Sequence, residues 1–213
     1  MSDLAYARIL EVLFERRLPA GAFVSQAELV ELTGVSVGPL RDALRVLEAE
    51  GLLTVHPRTG IQFVKPGLEL TRSTYQFREL VEVAAIAVFT ETASEDAIDT
   101  LLRRHRDMTA RVEQGGLTEA LVAEVEDLEV VLHGAIVASL NNPLIDSSYR
   151  RIHNYIRILR LDRRLTPTLV LHSLREHTSI LEASRQRDVK AAVEALRAHF
   201  SAALQRSFGL YRY

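Results

Sequence analysis

The chain has 213 residues, a formal net charge of −2 and no cysteine. This length allows one or two domains with buried cores, and the absence of cysteine excludes disulfides and thiolate metal sites. Without an excess of positive charge, any binding to nucleic acid must depend on a few well-placed arginines. No apolar run reaches the length of a membrane span and the chain opens directly into a helical pattern, so we expect a cytoplasmic protein with no membrane partner.

The first part of the chain carries three helical patterns. An amphipathic helix is predicted from Leu4 to Arg17, and two shorter helices meet at residues 33–36, where Gly34 provides the turn and Ser36 caps the second helix. The apolar stripe of that second helix consists of Leu40, Ala43, Leu44 and Leu47. These spacings predict a helix-turn-helix, whose second helix enters the major groove of DNA.

Two strand-like runs follow, at Leu52–Val55 and Ile61–Val64, and polar residues 56–60 join them. This hairpin is typical of the wing of a winged helix. We therefore predict a winged helix-turn-helix domain over residues 1–66. Arg41 and Arg45 lie four residues apart on the solvent side of the preceding helix, where side chains can reach base edges.

Residues 67–213 are predicted to form an all-helical domain, which begins after the breaker Lys65-Pro66-Gly67. The predicted helices cover 71–92, 94–112, 118–140, 144–161, 169–185 and Val189 to about Phe208, with caps at Ser94 and Asp188. Six helices with short connections predict an antiparallel bundle. The expected fold class is mainly α, a winged helix-turn-helix followed by an antiparallel helical bundle.

Three histidines of the bundle, His133, His177 and His199, have apolar neighbours at helical spacing and could point inward. Glu129 lies one turn before His133 on the same face of its helix. Inward imidazoles from three helices plus a carboxylate suit Zn²⁺ or another first-row transition metal. Buried histidines with purely structural hydrogen bonds fit the same spacing, so both interpretations stay open on spacing alone.

The N-terminal residues resemble the GntR family of bacterial transcription regulators. The matching residues are Gly34-Val35-Ser36, Pro39 to Leu44, Leu47 to Leu52 and the wing residue Gly60. The resemblance implies that DNA is contacted by Ser36, Arg41, Arg45, Arg58 and Gly60. Val37 and Gly38 replace the arginine and threonine that usually follow the serine, which removes a common base-reading side chain.

The helical residues resemble the FCD effector domain, which accompanies one large subgroup of GntR regulators. One FCD motif is matched by His133, Ile136, Asn142 and Pro143, and another by Glu176-His177, Ala183, Asp188, Ala191 and His199. The resemblance implies a divalent metal bound by Glu129, His133, His177 and His199. Glu129 stands where the family usually has an aspartate.

Arg78 and Glu82 match a charged pair in the first FCD helix. Their spacing fits a surface ion pair worth a few tenths of a kcal/mol. Alternatively, Arg78 faces the pocket and holds an effector carboxylate with two hydrogen bonds. The other histidines match no motif, and we expect solvent-exposed or helix-end positions for His56, His105, His153 and His172.

These resemblances imply a transcription regulator without catalytic residues. It would bind an inverted-repeat operator as a homodimer and respond to a small organic acid bound at the metal. Two alternatives are a metal-dependent hydrolase-like enzyme, for which the sequence offers no further acid or base, and a DNA-binding protein whose helical domain only dimerises.

Overall fold

The computed structural model describes residues 2–161 and 165–207, which form nine helices and three short strands. Contacts divide the described residues into two compact units. The first unit contains residues 2–70 and 153–161. The second contains residues 71–152 and 165–207. None of the described helices is long and apolar enough to cross a membrane.

The first unit has the predicted winged helix-turn-helix arrangement. Its elements are α1 (Ser2–Phe14), β1 (Phe23–Val24), α2 (Gln26–Thr33), α3 (Val37–Ala49), β2 (Leu53–His56) and β3 (Gly60–Phe63). The strands form an antiparallel sheet in the order β1-β3-β2, in which β2 and β3 are the wing. Sequence analysis does not predict β1, because two residues carry no periodic pattern.

Local capping sets the ends of the helix-turn-helix. Ser25 and Glu28 form a reciprocal capping box at the start of α2, and Gly34 ends this helix at φ 67°, a conformation that glycine adopts without strain. Ser36 occupies the predicted N-cap position of α3, although its side chain makes no capping hydrogen bond to the described backbone. The predicted apolar stripe of α3 is buried, at Leu40, Ala43, Leu44 and Leu47.

The second unit is a helical bundle, as predicted. The helices after the wing are α4 (Leu68–Thr92), α5 (Glu95–Gly115), α6 (Glu119–Ala138), α7 (Pro143–Leu161), α8 (Pro167–Arg185) and α9 (Val189–Ser207). Helix α8 packs against both α5 and α9. The predicted caps Ser94 and Asp188 accept hydrogen bonds from backbone N–H groups three residues later, at 3.2 and 2.9 Å. Phe208, the end expected for the last helix, lies outside the described residues.

The second half of α7 belongs to the first unit, which sequence analysis does not predict. Ile158 is fully buried in the same hydrophobic cluster as Ile9 and Leu47. The hydroxyl of Tyr155 donates a hydrogen bond of 2.6 Å to the carbonyl oxygen of Glu50. Residues of α7 thus complete the core of the winged-helix unit, and the boundary expected after residue 66 stays a prediction.

Candidate metal centre and DNA-binding surface

Three of the predicted metal ligands come together inside the helical unit. His133 of α6, His177 of α8 and His199 of α9 are buried, with exposures of 3%, 0% and 2%. One ring nitrogen from each lies within 4.8 Å of the others. We call these three residues the histidine cluster. Helices that are distant in sequence therefore present imidazoles to one point, as a metal site requires.

His133 is held by a buried carboxylate of α4. Nδ1 of His133 lies 2.6 Å from Oε2 of Glu82, whose Oε1 accepts hydrogen bonds of 2.7 Å from Nε of Arg78 and from the hydroxyl of Tyr149. Burial raises the pKa of the Glu82 carboxyl, but Arg78, His133 and Tyr149 together lower this pKa to about 2. Because an ionised carboxylate only accepts, we assign the proton of His133 to Nδ1 and the lone pair to Nε2.

His199 is held in a similar way by Glu176 of α8. Its Nδ1 lies 2.8 Å from Oε2 of Glu176, and the same carboxylate accepts two hydrogen bonds of 2.6 Å from the guanidinium of Arg206. Burial raises the pKa of Glu176, but the hydrogen bonds from Arg206 and His199 make the net shift downward. Carboxylates that bind the outer nitrogens of histidines orient the rings and increase the basicity of the inner nitrogens.

His177 and Glu129 differ from the other predicted ligands. Both ring nitrogens of His177 are buried and lack a hydrogen-bond partner among the described residues. Oε1 of Glu129 lies 3.8 Å from Nε2 of His177 and accepts a hydrogen bond of 2.8 Å from the hydroxyl of Ser173. Glu129 is therefore adjacent to the histidine cluster without belonging to the compact group of three, and its role as a ligand stays a prediction.

His105 of α5 lies in the same region, so the expectation of a solvent-exposed or helix-end position is wrong for this residue. Its side chain is fully buried, and its ring centroid lies 5.3 Å from that of His177. Nδ1 of His105 lies 2.8 Å from the carbonyl oxygen of Leu101, while Nε2 lacks a partner among the described residues. The remaining histidines, His56, His153 and His172, are partly exposed.

The histidine cluster has the chemistry of a site for a divalent transition metal. Burial lowers the pKa of His133 to about 4, although Glu82 opposes this shift, and burial lowers the pKa of His177 well below its usual value. Both rings are neutral at neutral pH, which is the form that binds metal. Nε2 of His133 and both nitrogens of His177 are buried without partners among the described residues, a costly state that a cation would relieve at Nε2 of His133 and at one nitrogen of His177. Imidazole donors favour zinc, copper, nickel and iron over magnesium and calcium.

Arg78 is buried, so the surface ion pair considered from its spacing is wrong. The side chains of Arg78 and Glu82 are 2% and 0% exposed. The guanidinium carbon of Arg78 lies 4.9 Å from the ring centre of Phe200, and that ring stacks on His133 with centroids 6.1 Å apart. Arg78 therefore forms part of the surroundings of the histidine cluster, and its contact with an effector carboxylate stays a prediction.

The winged-helix unit brings most of the predicted DNA contacts to one groove between α3 and the wing. The groove has a volume of about 520 Å³, and its lining includes Arg41, Arg45, Arg58 and Gly60. The three arginines and Ser36 are exposed. Nε of Arg41 donates to the side-chain oxygen of Gln26 at 3.1 Å, and Arg45 lies 3.5 Å from Asp42. Exposed guanidinium groups on this helix and wing can reach phosphates and base edges.

Gly60 also has a structural role in the wing. It pairs with His56 at the start of β3 and has φ of 155°, which side chains rarely adopt. A Cβ atom at this position would lie 2.7 Å from the ring of Phe23 and 2.8 Å from the carbonyl oxygen of Val24. Any side chain here would displace β1, so the close approach at Gly60 is to the protein's own sheet.

Sequence reasoning missed three residues around the histidine cluster: His105, Tyr149 and Arg206. A signal for His105 was present, because Leu101, Leu102 and Met108 give it the same apolar spacing that indicated an inward His133. Tyr149 and Arg206 bind carboxylates 67 and 30 residues away in sequence. No local pattern encodes such pairs.

Two family models match the chain and together cover nearly all of it. The model described as bacterial regulatory proteins, gntR family, matches residues 2–63, and the model described as FCD domain matches residues 73–202. Among curated relatives, the uncharacterized HTH-type transcriptional regulator YdhC of Bacillus subtilis (strain 168) is 24% identical over 196 residues, covering 92% of this chain and 86% of YdhC. The Nta operon transcriptional regulator of Aminobacter aminovorans is 28% identical over 193 residues, covering 87% of this chain and 86% of that protein.

Solved structures agree on the fold. McbR/YncC of E. coli superposes with a TM-score of 0.81 over 99% of this chain and 98% of its own, at 17% identity. A GntR transcriptional regulator of Rhodococcus sp. RHA1 gives a TM-score of 0.79 over 99% of each chain, at 20% identity. The names of the matched gntR family and of the two curated relatives denote transcriptional regulators and not enzymes. With an FCD model covering more than half of its length behind a GntR winged helix, the chain belongs to the GntR family of transcription regulators and carries an FCD effector-binding domain.

Proposed function

We propose that this protein is a cytoplasmic regulator that binds an inverted-repeat operator as a homodimer and responds to a small organic acid bound at a metal centre. GntR regulators bind operator DNA and FCD domains bind effectors. The observation that carries the proposal is the histidine cluster, in which Nε2 of His133 and both ring nitrogens of His177 are buried without partners among the described residues. A helical domain that only dimerised would gain nothing from desolvating these nitrogens without pairing them.

The metal would be bound by His133, His177 and His199, with Glu129 as a fourth protein ligand. FCD domains can bind metal. A bound first-row ion would supply coordination positions for a carboxylate oxygen of the effector. Arg78 would hold a second carboxylate through its terminal nitrogens, because its Nε already donates to Glu82. Glu82 would accept a hydrogen bond from Nδ1 of His133. Glu176 would do the same for Nδ1 of His199.

The DNA-binding half of the proposal assigns residues 1–66 to operator contact and residues 67–213 to effector binding and dimerisation. Ser36, Arg41, Arg45, Arg58 and Gly60 would form the contacts of each protomer. A dimer doubles the number of arginines that reach phosphate, which this acidic chain needs. Its two-fold symmetry would be matched by an inverted repeat in the operator.

Metal analysis tests the site directly. Full-length protein purified without a chelator or a histidine tag should contain close to one metal ion per chain, measured by inductively coupled plasma mass spectrometry. His133→Ala and His177→Ala should each reduce this content severely. His172→Ala serves as the matched control, because His172 lies on the same helix as His177 but is partly exposed. Full occupancy in both cluster variants would refute the ligand assignment.

Operator binding tests the link between the two functions. The operator is identified by selecting genomic fragments on the purified protein, and fluorescence anisotropy then measures its affinity with a panel of small mono- and dicarboxylic acids. The effector should change operator affinity by a coupling free energy of about 1–3 kcal/mol. Removing the metal should abolish that change while basal DNA binding persists. An equal response in metal-free protein would refute the role of the metal and favour a metal-independent pocket.

A further inference from the structure

His177 is the one member of the histidine cluster whose outer nitrogen has no identified acceptor. A neutral imidazole that binds a metal through one nitrogen carries a proton on the other, and this N–H is almost always donated to a neighbouring acceptor. Glu82 serves His133 and Glu176 serves His199 in this way. For His177, neither ring nitrogen has a partner among the described residues.

The nearby His105 has the opposite need. A carbonyl oxygen only accepts, so the 2.8 Å contact with Leu101 assigns the proton of the neutral His105 ring to Nδ1. Nε2 then carries a lone pair and can only accept a hydrogen bond. This atom is fully buried and has no partner among the described residues. Nε2 of His105, which lacks a donor, therefore lies on a ring next to His177, whose N–H requires an acceptor.

The rings of His105 and His177 are close enough for a hydrogen bond between them, although in this structure they lie edge-on at 81° and form none. Their centroids are 5.3 Å apart. In an imidazole pair joined by a linear N–H···N bond of ordinary length, the centroids are about 5 Å apart. The other neighbour of His177, Glu129, has its Oε1 3.8 Å from Nε2, which is too long for a hydrogen bond. Glu129 also accepts from Ser173 and binds the metal in the proposed site, so His105 is the better acceptor for the N–H.

We propose that His105 is a positioning residue of the metal centre: when His177 binds metal, Nε2 of His105 accepts its N–H and so fixes the tautomer and orientation of that ring. This inference rests on the proposed metal site but not on the identity of the effector. The residue contributes an acceptor from α5, whereas the cluster itself comes from α6, α8 and α9. It would increase metal affinity by restricting His177 to the rotamer that binds.

The test compares metal binding by full-length His105→Phe, His105→Gln and His172→Phe proteins. Phenylalanine fills the volume without an acceptor, and glutamine places an amide oxygen near the position of Nε2. Zn²⁺ affinity is measured by competition with a chromophoric chelator, and the visible absorption of Co²⁺ reports ligand geometry. His105→Phe should weaken Zn²⁺ binding about 10–100-fold and alter the Co²⁺ spectrum. His105→Gln should recover most of the affinity, and His172→Phe should match the unmodified protein.

The outcomes separate this inference from the function on which it rests. If the unmodified protein binds Zn²⁺ and His105→Phe binds it equally well with the same Co²⁺ spectrum, His105 has no positioning role and the metal site stands. If His105→Gln is as weak as His105→Phe while both are folded by circular dichroism, packing and not an acceptor is responsible, and the inference is wrong. Failure of the unmodified protein to bind Zn²⁺ or Co²⁺ would overturn both proposals.

A spectroscopic measurement covers the case in which His105→Phe does not fold. In unmodified protein with ¹⁵N-labelled histidine, the ring nitrogens of His105 and His177 are observed by NMR as Zn²⁺ is added. The expected result is a neutral His105 protonated at Nδ1, with its Nε2 shift moving toward that of a hydrogen-bonded acceptor when His177 binds metal. Protonation of His105 at Nε2 in the metal-bound protein would exclude the proposed acceptor.

Discussion

Glu82→Gln is the substitution that most directly probes the network behind the histidine cluster. The side chain of Glu82 is fully buried and accepts hydrogen bonds from Arg78, Tyr149 and His133. Glutamine has nearly the same volume, so the change creates no cavity. It removes the negative charge that balances the buried Arg78 guanidinium, and it leaves one acceptor oxygen where there were two.

Two independent arguments give the size of the effect. Removing one partner of a buried ion pair costs about 3–5 kcal/mol, because the remaining charge stays buried without compensation. The pKa of the Glu82 carboxyl falls from 4.5 to about 2 in the folded protein. A change of this size corresponds to about 3 kcal/mol of stabilisation of the charged form. We therefore expect the free energy of unfolding of the metal-free protein to fall by about 3–5 kcal/mol.

Urea unfolding of metal-free protein, followed by circular dichroism, measures this loss. The matched control is Glu182→Gln, which removes the same charge from an exposed pair with Arg106 at 2.9 Å and should cost less than about 1 kcal/mol. The double variant Arg78→Met/Glu82→Gln removes both buried charges and should recover roughly half of the loss or more. If Glu82→Gln costs no more than Glu182→Gln, the buried network does not stabilise the helical unit as argued.

The metal-free protein should lose stability as pH falls from about 6.5 to 4, because the unfolded chain protonates His133 while burial holds the pKa of the folded ring at about 4. A second loss of stability should follow at lower pH. It arises because the pKa of Glu82 is 4.5 in the unfolded chain and about 2 in the folded protein. Urea midpoints across this pH range check both losses, and a midpoint that does not change between about pH 7 and pH 4 would contradict the first. Arg41→Ala should weaken operator binding by about 1–3 kcal/mol in anisotropy titrations, whereas Arg150→Ala, an exposed arginine of the helical unit, should not. Gly60→Val should lower both the melting temperature and DNA binding, because its side chain would collide with β1; an unchanged melting temperature would show that the wing accommodates a side chain there.

The sequence predicts the architecture well because its signals are local. The stripe Leu40, Ala43, Leu44 and Leu47, the turn at Gly34 and the caps at Ser94 and Asp188 each involve residues within one or two helical turns. The same locality explains why the sequence does not show that the end of α7 packs with the winged-helix unit. Residues 153–161 continue a regular helix from Pro143, and no change of periodicity marks the point where α7 begins to contribute to the winged-helix core.

The sequence predicts a residue of the candidate site only where the pattern of its own helix shows that its side chain faces inward. Inward positions of His133, His177 and His199 follow from apolar neighbours, and the same reasoning would have placed His105 inside. The burial of Arg78 and Glu82 does not follow from their spacing, because a pair four residues apart looks the same on an exposed face and on a buried one. Burial depends on what packs against α4, which only the tertiary structure supplies.

The four buried imidazoles differ in what binds Nδ1, and this difference underlies the separate roles that we propose for them. Carboxylates hold His133 and His199, and they come from positions 51 and 23 residues away in sequence. A carbonyl one turn earlier in the same helix holds His105. A carboxylate makes the opposite nitrogen a stronger metal donor, whereas a neutral carbonyl only fixes the tautomer. His177 has neither kind of partner among the described residues, so the orientation of its ring depends on the groups packed around it, and His105 is the group with the matching lone pair.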